Sequence, residues 1–323
     1  MPVITIREAI RQALREEMQR DRRVFIMGED VGAYGGTYAV TRGLYEEFGE
    51  ERVRDTPIAE SAIVGVALGA ALGGLRPVAE IMTINFVLLA LDQIVNHAAK
   101  MSHMFGGQFK VPLVIRVPAG WGQLAATHSQ TFEVYFAYVP GLKVVYPGTP
   151  YDAKGMLKAA LRDEDPVIYI EHTALYPVRG EVPDGDYVVP IGKSEIKRLG
   201  RDCTIVTYGR MLQASLQAAE QLAREGIEVE VVDLRTLRPL DMEPVYESVA
   251  KTHRALVVTE EWRSFGVGAE VAARIQEHAF DELDAPVMRL GSREVPLPYN
   301  KHHERAVLPW PEDVVKAVKL LLR

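Results

Sequence analysis

Two short stretches carry residue types that could move protons. Asp55-Thr-Pro-Ile-Ala-Glu60 ends in a carboxylate just ahead of Gly65, Gly69 and Gly73, and His128-Ser-Gln130 supplies an imidazole. Carboxyl and imidazole groups exchange protons near neutral pH once their surroundings tune them, so the pair offers acid–base chemistry. Taken singly, each has a plainer reading. Glu60 at a helix start is favoured by the macrodipole by about 0.3–1 kcal/mol, and a lone histidine is more often a hydrogen-bonded surface or core residue. Ser129 beside it is no nucleophile without a base in reach. What favours catalysis is their order in a glycine-rich α/β chain.

Other chemistries leave no trace. There is no P-loop, no HExxH, no CxxC pair and no G-x-S-x-G elbow. Gly28-Glu-Asp-Val-Gly32-Ala-Tyr-Gly35-Gly36 follows a strand, but its spacing is not that of a dinucleotide fingerprint, and it reads as a flexible turn. The eight histidines form no metal-ligand pattern, and His302-His303 reads as a solvated loop. A net charge of -7 argues against a nucleic-acid partner. Cys203, the single cysteine, lies in an apolar run and reads as a buried strand thiol. No apolar run approaches the roughly 18 residues that would cross a bilayer, and no signal peptide is recognised, so the expectation is no membrane partner and a cytoplasmic location.

The elements that must position these residues alternate between short Val/Ile-rich runs and stretches of helical period, the pattern of a parallel sheet wrapped by helices. Strands are expected at 24–27, 77–81, 112–116, 143–146 and 167–170, with helices near 6–20, 61–74, 85–101 and 150–162. Thr149-Pro-Tyr-Asp152 should cap the last of these helices. The Pro- and Gly-rich stretch from Tyr176 to Gly185 reads as a linker. The division is therefore 1–176, linker 177–189, and 190–323, two α/β domains of mostly parallel sheet with helices on both faces. In the second, strands are expected at 204–208, 227–233, 255–259 and 286–290, and helices near 211–225, 242–251, 267–280 and 311–322. Gly65, Gly69 and Gly73 each lose about 1 kcal/mol of helix propensity relative to Ala. Close packing against another subunit or domain would offset that, and packing onto the chain's own sheet is the alternative.

Ordered matches then run the length of the chain: Gly28-Glu-Asp30, Asp55 to Glu60, Gly74-Leu-Arg-Pro-Val-Ala-Glu80, Asp92-Gln93, His128-Ser-Gln130, Pro140-Gly-Leu-Lys-Val144, Tyr151-Asp-Ala-Lys-Gly155, Arg162-Asp163, Asp233-Leu-Arg-Thr-Leu237 and Gly266-Val-Gly-Ala-Glu270. On these the chain resembles the beta subunits of the thiamine diphosphate-dependent 2-oxo acid dehydrogenases. Glu80-Ile-Met-Thr-Ile-Asn-Phe86 is more similar to the pyruvate (acetyl-transferring) enzymes than to the branched-chain ones.

The resemblance implies a transketolase-like pyrimidine-binding domain followed by a transketolase C-terminal domain. It also implies a site shared with an alpha subunit in an α2β2 heterotetramer, in which alpha holds the cofactor's diphosphate through magnesium. The family's Gly-Asp-Gly…Asn magnesium motif is absent here. Glu60 would bond the pyrimidine ring nitrogen, with Ile58, Met82 and Phe86 as an apolar wall and Phe86 stacked on the ring. His128 would give a proton to the lipoyl disulfide of the dihydrolipoyl acyltransferase core, which docks on the second domain, after pyruvate has been decarboxylated. A structural potassium ion would be held by main-chain oxygens near Leu113, Ala160, Asp163 and Asp165. Trp121 stands where the family's loop is richer in glycine, leaving its effect on substrate access open. Glu260-Glu261-Trp262 and Arg289 read as structural. Rival readings are a beta subunit for acetoin or branched-chain oxo acids, and a noncatalytic scaffold.

Overall fold

The computed structural model describes residues 1–323 and divides into two compact units. The first comprises Met1–Trp121 and Tyr135–Ile191, the second Gly122–Val134 and Gly192–Arg323. The chain thus enters the second unit briefly in mid-course, a detour that composition did not reveal.

The strands of the first unit are β1 (Val3–Thr5), β2 (Val24–Gly28), β3 (Val53–Asp55), β4 (Arg76–Glu80), β5 (Val114–Ala119), β6 (Lys143–Val145), β7 (Val167–His172) and β8 (Arg179–Glu181). Six of them form a parallel sheet in the order β6-β7-β5-β4-β2-β3. Its helices are α1 (Ile6–Arg20), α2 (Leu44–Phe48), α3 (Glu60–Leu72), α4 (Met101–Met104) and α6 (Pro150–Arg162), and α5 (Glu133–Ala137) lies where the chain returns to this unit. Helix α1 buries Ile6, Ala9, Ile10, Ala13, Leu14 and Met18 against β2 and α6, the spacing of one apolar face. Thr149 caps α6 as expected, accepting from the Asp152 amide at 3.1 Å. Thr149→Ala should lower stability by about 1 kcal/mol, read as a shift in the urea midpoint.

Two expectations for this unit need correction. Residues 177–189 are not a free linker: β8 pairs antiparallel with β1, and Val182 and Val189 are buried. The segment near 85–101 is not one α-helix but a 3-10 turn over Phe86–Ala90, a π-helical run over Asp92–Ala98, and then α4. Within this chain the glycine stripe is only partly covered. A methyl on Gly65 would meet Gln93 Oε1 of the chain's own π-helical run at 3.4 Å, Gly69 has nothing within 4 Å, and Gly73 ends the helix.

The second unit carries β9 (Glu195–Arg198), β10 (Cys203–Thr207), β11 (Val229–Asp233), β12 (Thr236–Arg238), β13 (Ala255–Trp262) and β14 (Met288–Ser292). Its sheet runs β14-β13-β10-β11-β9, parallel except for the edge pair β11–β9. The helices are α7 (Arg210–Ala223), α8 (Glu243–Thr252), α9 (Val267–His278), α10 (Lys301–Val307) and α11 (Pro311–Leu321), with α7 and α11 sharing one core. Burial pushes the Cys203 thiol up to about 12, which keeps it protonated and inert, as its apolar run suggested. His302 and His303 lie in α10 rather than in a loop, because Asn300 Oδ1 caps their amides at 3.0 and 3.3 Å. No helix is long and apolar enough to cross a membrane.

Candidate active site and family

In the first unit's sheet the connection that leaves β2 runs to β3 on one side, whereas the connection that leaves the neighbouring β4 runs to β5 on the other. Ligand sites of open parallel sheets form at such a reversal, outside the carboxyl ends of the strands. Gly28, Asp55, Glu80 and Arg116 stand in register across that edge. Gly28 is required there: a methyl group on it would come within 2.5 Å of the Glu80 carbonyl. The loop beyond it is pinned rather than a flexible turn. The Gly32 amide donates to Asp55 Oδ1 at 2.7 Å and the Thr56 amide to Gly28 O at 2.9 Å, so the first residues of the Asp55–Glu60 segment clamp the two strand ends together.

Glu60 is the first residue of α3 and is buried, its carboxylate at a helix end where Ala59 offers no side-chain cap. The helix N-terminus is a favourable place for the charge. Glu29 is buried too, and its carboxyl is pushed up by burial first and by the neighbouring Glu60 and Asp30 carboxylates second. In the sequence Glu29 stands out only within the Gly28–Gly36 turn and the Gly28-Glu-Asp30 match. After β4 the chain stays along β5, Ile81 N–H bonding Arg116 O at 3.1 Å and Ile84 N–H bonding Pro118 O at 2.7 Å, before it turns at Phe86. That path leaves Met82 and Phe86 half-buried. Ile58 departs from the expected wall: it is 81% exposed, so this unit does not enclose it.

Beneath the crevice lies a buried ion network that the sequence did not announce. The Arg116 guanidinium is fully buried between Glu80 and Glu171, with the Glu171 Oε2 contact at 3.1 Å. Tyr176 donates to Glu171 at 2.7 Å. Burial pushes the Glu80 carboxyl up, opposed by Arg116. Arg116 itself is held well above its usual range, where the two carboxylates outweigh its desolvation.

The potassium expectation fits poorly. Lys143 Nζ lies 2.7 Å from both carboxylate oxygens of Asp163 and 3.1 Å from Asp165 Oδ2. Arg76 bonds the Asp163 carbonyl at 2.8 Å, and the Leu113 and Ala160 carbonyls accept from Val167 and Asp163 amides. Protein cations thus already supply the charge a metal ion would bring. Trp121 stands edge-on to His172, ring centroids 6.4 Å apart, and its carbonyl accepts from Thr173 at 3.4 Å, which fixes it beside β7.

His128 belongs to the second unit, whereas Glu60 belongs to the first. Its ring is exposed, with Nδ1 3.0 Å from Thr127 Oγ1. Two non-glycine residues of its segment, Gln123 and Ala125, take left-handed φ values of 58° and 64°, and such a conformation persists only where the surroundings over-determine it. The buried Glu304 carboxylate does part of this, accepting from the Gln123 amide at 2.9 Å. Ser129, Gln130 and Thr131 line a small cavity with Glu260, Trp262 and Leu297. Glu133, at the segment's end, is fully buried and hydrogen-bonds the Tyr208 hydroxyl at 3.0 Å.

Family comparisons agree with this architecture. The pyrimidine-binding domain of transketolase matches residues 3–179, and the transketolase C-terminal domain matches 192–314. A pyruvate dehydrogenase E1 component beta subunit from Gracilaria tenuistipitata var. liui is 47% identical over the full length of both chains. The chain belongs to the beta subunits of the 2-oxo acid dehydrogenases. Among this family, a Bacillus subtilis 2-oxoisovalerate dehydrogenase beta subunit is 49% identical, with 99% of each chain covered. A Rhizobium meliloti pyruvate dehydrogenase beta subunit is also 49% identical, covering 99% of this chain and 70% of the relative. A solved structure described as a split-gene transketolase, inactive beta4 tetramer, superposes with a TM-score of 0.81 at 26% identity, covering 99% of this chain and 98% of its own.

Proposed function

We propose that this beta-subunit chain supplies half of a pyruvate-decarboxylating, lipoyl-acetylating site, the other half coming from an alpha subunit in an α2β2 assembly. The observation that carries the reading is the buried Glu60 carboxyl at the reversal point of the first sheet, beside a second buried acid, Glu29. A buried acid at a helix start, flanked by half-buried Met82 and Phe86, fits the aminopyrimidine end of thiamine diphosphate. Glu60 would hold or release a proton at the ring nitrogen, Phe86 would stack on the ring, and Met82 would exclude water. When bound, the cofactor supplies the electron sink that lets the carboxylate of the oxo acid leave as carbon dioxide.

Ile58, Val66 and Leu89 are 81%, 59% and 67% exposed, an apolar surface suited to cover by a partner subunit. Magnesium would be alpha's to bind, and no potassium enters the proposal because Lys143 and Arg76 already face Asp163. The acyltransferase core would dock on the second unit, and a cytoplasmic location goes with the reading.

Pyruvate is preferred on the Glu80–Phe86 stretch. The 49% identity to a 2-oxoisovalerate enzyme supports a branched-chain substrate as the second reading. The deciding assay is carbon dioxide release from pyruvate and from 2-oxoisovalerate by this chain, by its alpha partner, and by the mixture with thiamine diphosphate and magnesium. Activity in the mixture alone supports the shared site, and the preferred acid assigns the substrate. A stable mixture inert toward both acids overturns the proposal.

His128 serves as the proton donor to the opening lipoyl disulfide, a role suited to an exposed imidazole on a fixed segment. His128→Ala should lower reductive acetylation of a lipoyl domain by about 10²–10⁴-fold, while decarboxylation read with an artificial oxidant changes far less. Equal losses in the two assays would remove the role.

A further inference from the structure

The carboxyl groups of Glu133 and Glu261 play no part in the chemistry above, yet they face a charge conflict. Glu133 is 0% and Glu261 4% exposed, and neither forms an ion pair. The Tyr208 hydroxyl lies 3.0 Å from Glu133 Oε1 and acts on the Glu261 carboxyl as well. The second oxygen of each carboxyl, Oε2, is buried with no hydrogen-bond partner. A phenolic hydroxyl carries one hydrogen. It can donate to one carboxylate only, and the other must bring a proton of its own or meet a lone pair. Two ionised carboxylates here would also be mutually repelling buried charges without a cation.

We propose that Glu133 and Glu261 share a single proton through Tyr208, and that this proton-holding pair seats the Gly122–Val134 segment, and with it His128, on the second unit. Glu261 is the better home for the remaining charge. It accepts from the Gly268 amide at 2.7 Å, at the N-terminus of the 12-residue helix α9, and the Val267 amide also favours its charge. Glu133 has only its own backbone amide, at the start of the five-residue helix α5, and carries the proton. The other charged groups facing the pair are Glu260 of β13, which is ion-paired with Arg210 of α7, and Arg289 of β14, which acts on Glu261 while bonding the Arg263 carbonyl at 2.8 Å. Glu133 and Glu261 are therefore positioning residues, and Glu133 is the one that links the pair to the segment.

Burial raises both groups, with the Glu261 carboxylate next among the causes for Glu133. Their folded values lie above the ordinary carboxylate range, so the folded chain binds more protons than the unfolded one. The pair's contribution to stability is full below the ordinary carboxylate range and is lost progressively as pH rises from there through the raised values. Glu133→Gln keeps the shape and a donor but cannot titrate.

The test follows the thermal midpoint and the hydrogen-exchange protection of amides 122–134 in the full chain, corrected for intrinsic exchange, from about pH 5 to about pH 9. In the wild type both should decline as pH rises from the ordinary carboxylate range to the raised values of the pair, and level off above them. In Glu133→Gln at least half of each decline should disappear. A wild-type segment whose protection ignores pH, or a Gln variant that declines like the wild type, overturns the proposal. If Glu133→Gln does not fold, isotope-edited infrared of glutamate-labelled chain takes its place. A protonated-carboxyl band that bleaches toward alkaline pH, with a titration displaced in Tyr208→Phe, supports the shared proton, and an undisplaced titration rejects it. The importance of seating His128 rests on the proton-donor reading above. None of these readouts needs turnover, so failure here and failure of the His128→Ala assay are separate results.

Discussion

Glu60→Gln should leave the alpha–beta assembly intact and lower its decarboxylation of pyruvate by about 10²–10⁴-fold, the usual range for removing a positioned acid–base group. The amide keeps the size and hydrogen-bonding capacity of the carboxyl but cannot gain or lose a proton at the ring nitrogen. The loss should therefore fall on turnover and not on cofactor affinity, and thermal midpoints of variant and wild type should agree closely. Glu29 sharpens the expectation. Its carboxyl is raised by burial and by Glu60, so Glu60→Gln removes a repulsive neighbour and should bring Glu29 back toward the ordinary range. Single-turnover decarboxylation, assembly by sedimentation and cofactor titration together check the result. An unchanged rate would return the chain to the scaffold reading.

The second large effect is on stability. Arg116→Met leaves Glu80 and Glu171 buried without their cation and should cost about 3–5 kcal/mol, as breaking a buried ion pair does. The sign with pH follows. The Glu80 carboxyl, already raised by burial, takes up a proton in the folded state once Arg116 no longer opposes it, so the loss should be smallest in mild acid and should grow as pH rises through its raised value. Adding Glu80→Gln and Glu171→Gln should recover part of it, because the charges that needed compensation are gone. Denaturant midpoints of the single and triple variants at two pH values decide the matter, and a single variant as stable as the wild type would show the network to be dispensable.

The two effects separate what could be read from residues and what could not. The Val- and Ile-rich runs gave the parallel sheet because strands buried on both faces read as continuous apolar stretches. Glu60 was legible since a lone acid preceding a helix, within an ordered set of matches, is a local feature. The Arg116 network was not. Each member interrupts a different apolar strand, and only the register, with Glu80 opposite Arg116 and Arg116 opposite Tyr169, brings them together. Glu133 and Glu261 are farther apart still along the chain, and their meeting depends on the segment 122–134 belonging to the second unit. The linker expectation failed for a related reason. Proline and glycine marked where the chain turns, but the pairing of β8 with β1 is a long-range contact that local composition does not encode. His302 and His303 are helical because Asn300 caps them, a signal that is local in the sequence.

The mid-course detour of the chain bears on how such a protein can be dismantled or recombined. A cut at the boundary between Ile191 and Gly192 appears natural from the end of the first unit, but it does not yield two self-sufficient modules. A fragment ending at residue 191 would still carry Gly122–Val134 without Tyr208 and Glu304, the groups that hold it. The complementary fragment would keep the socket with its buried acids laid open to solvent. Grafting the second half of one such chain onto the first half of a relative therefore also requires exchanging those thirteen residues, so that lock and key travel together.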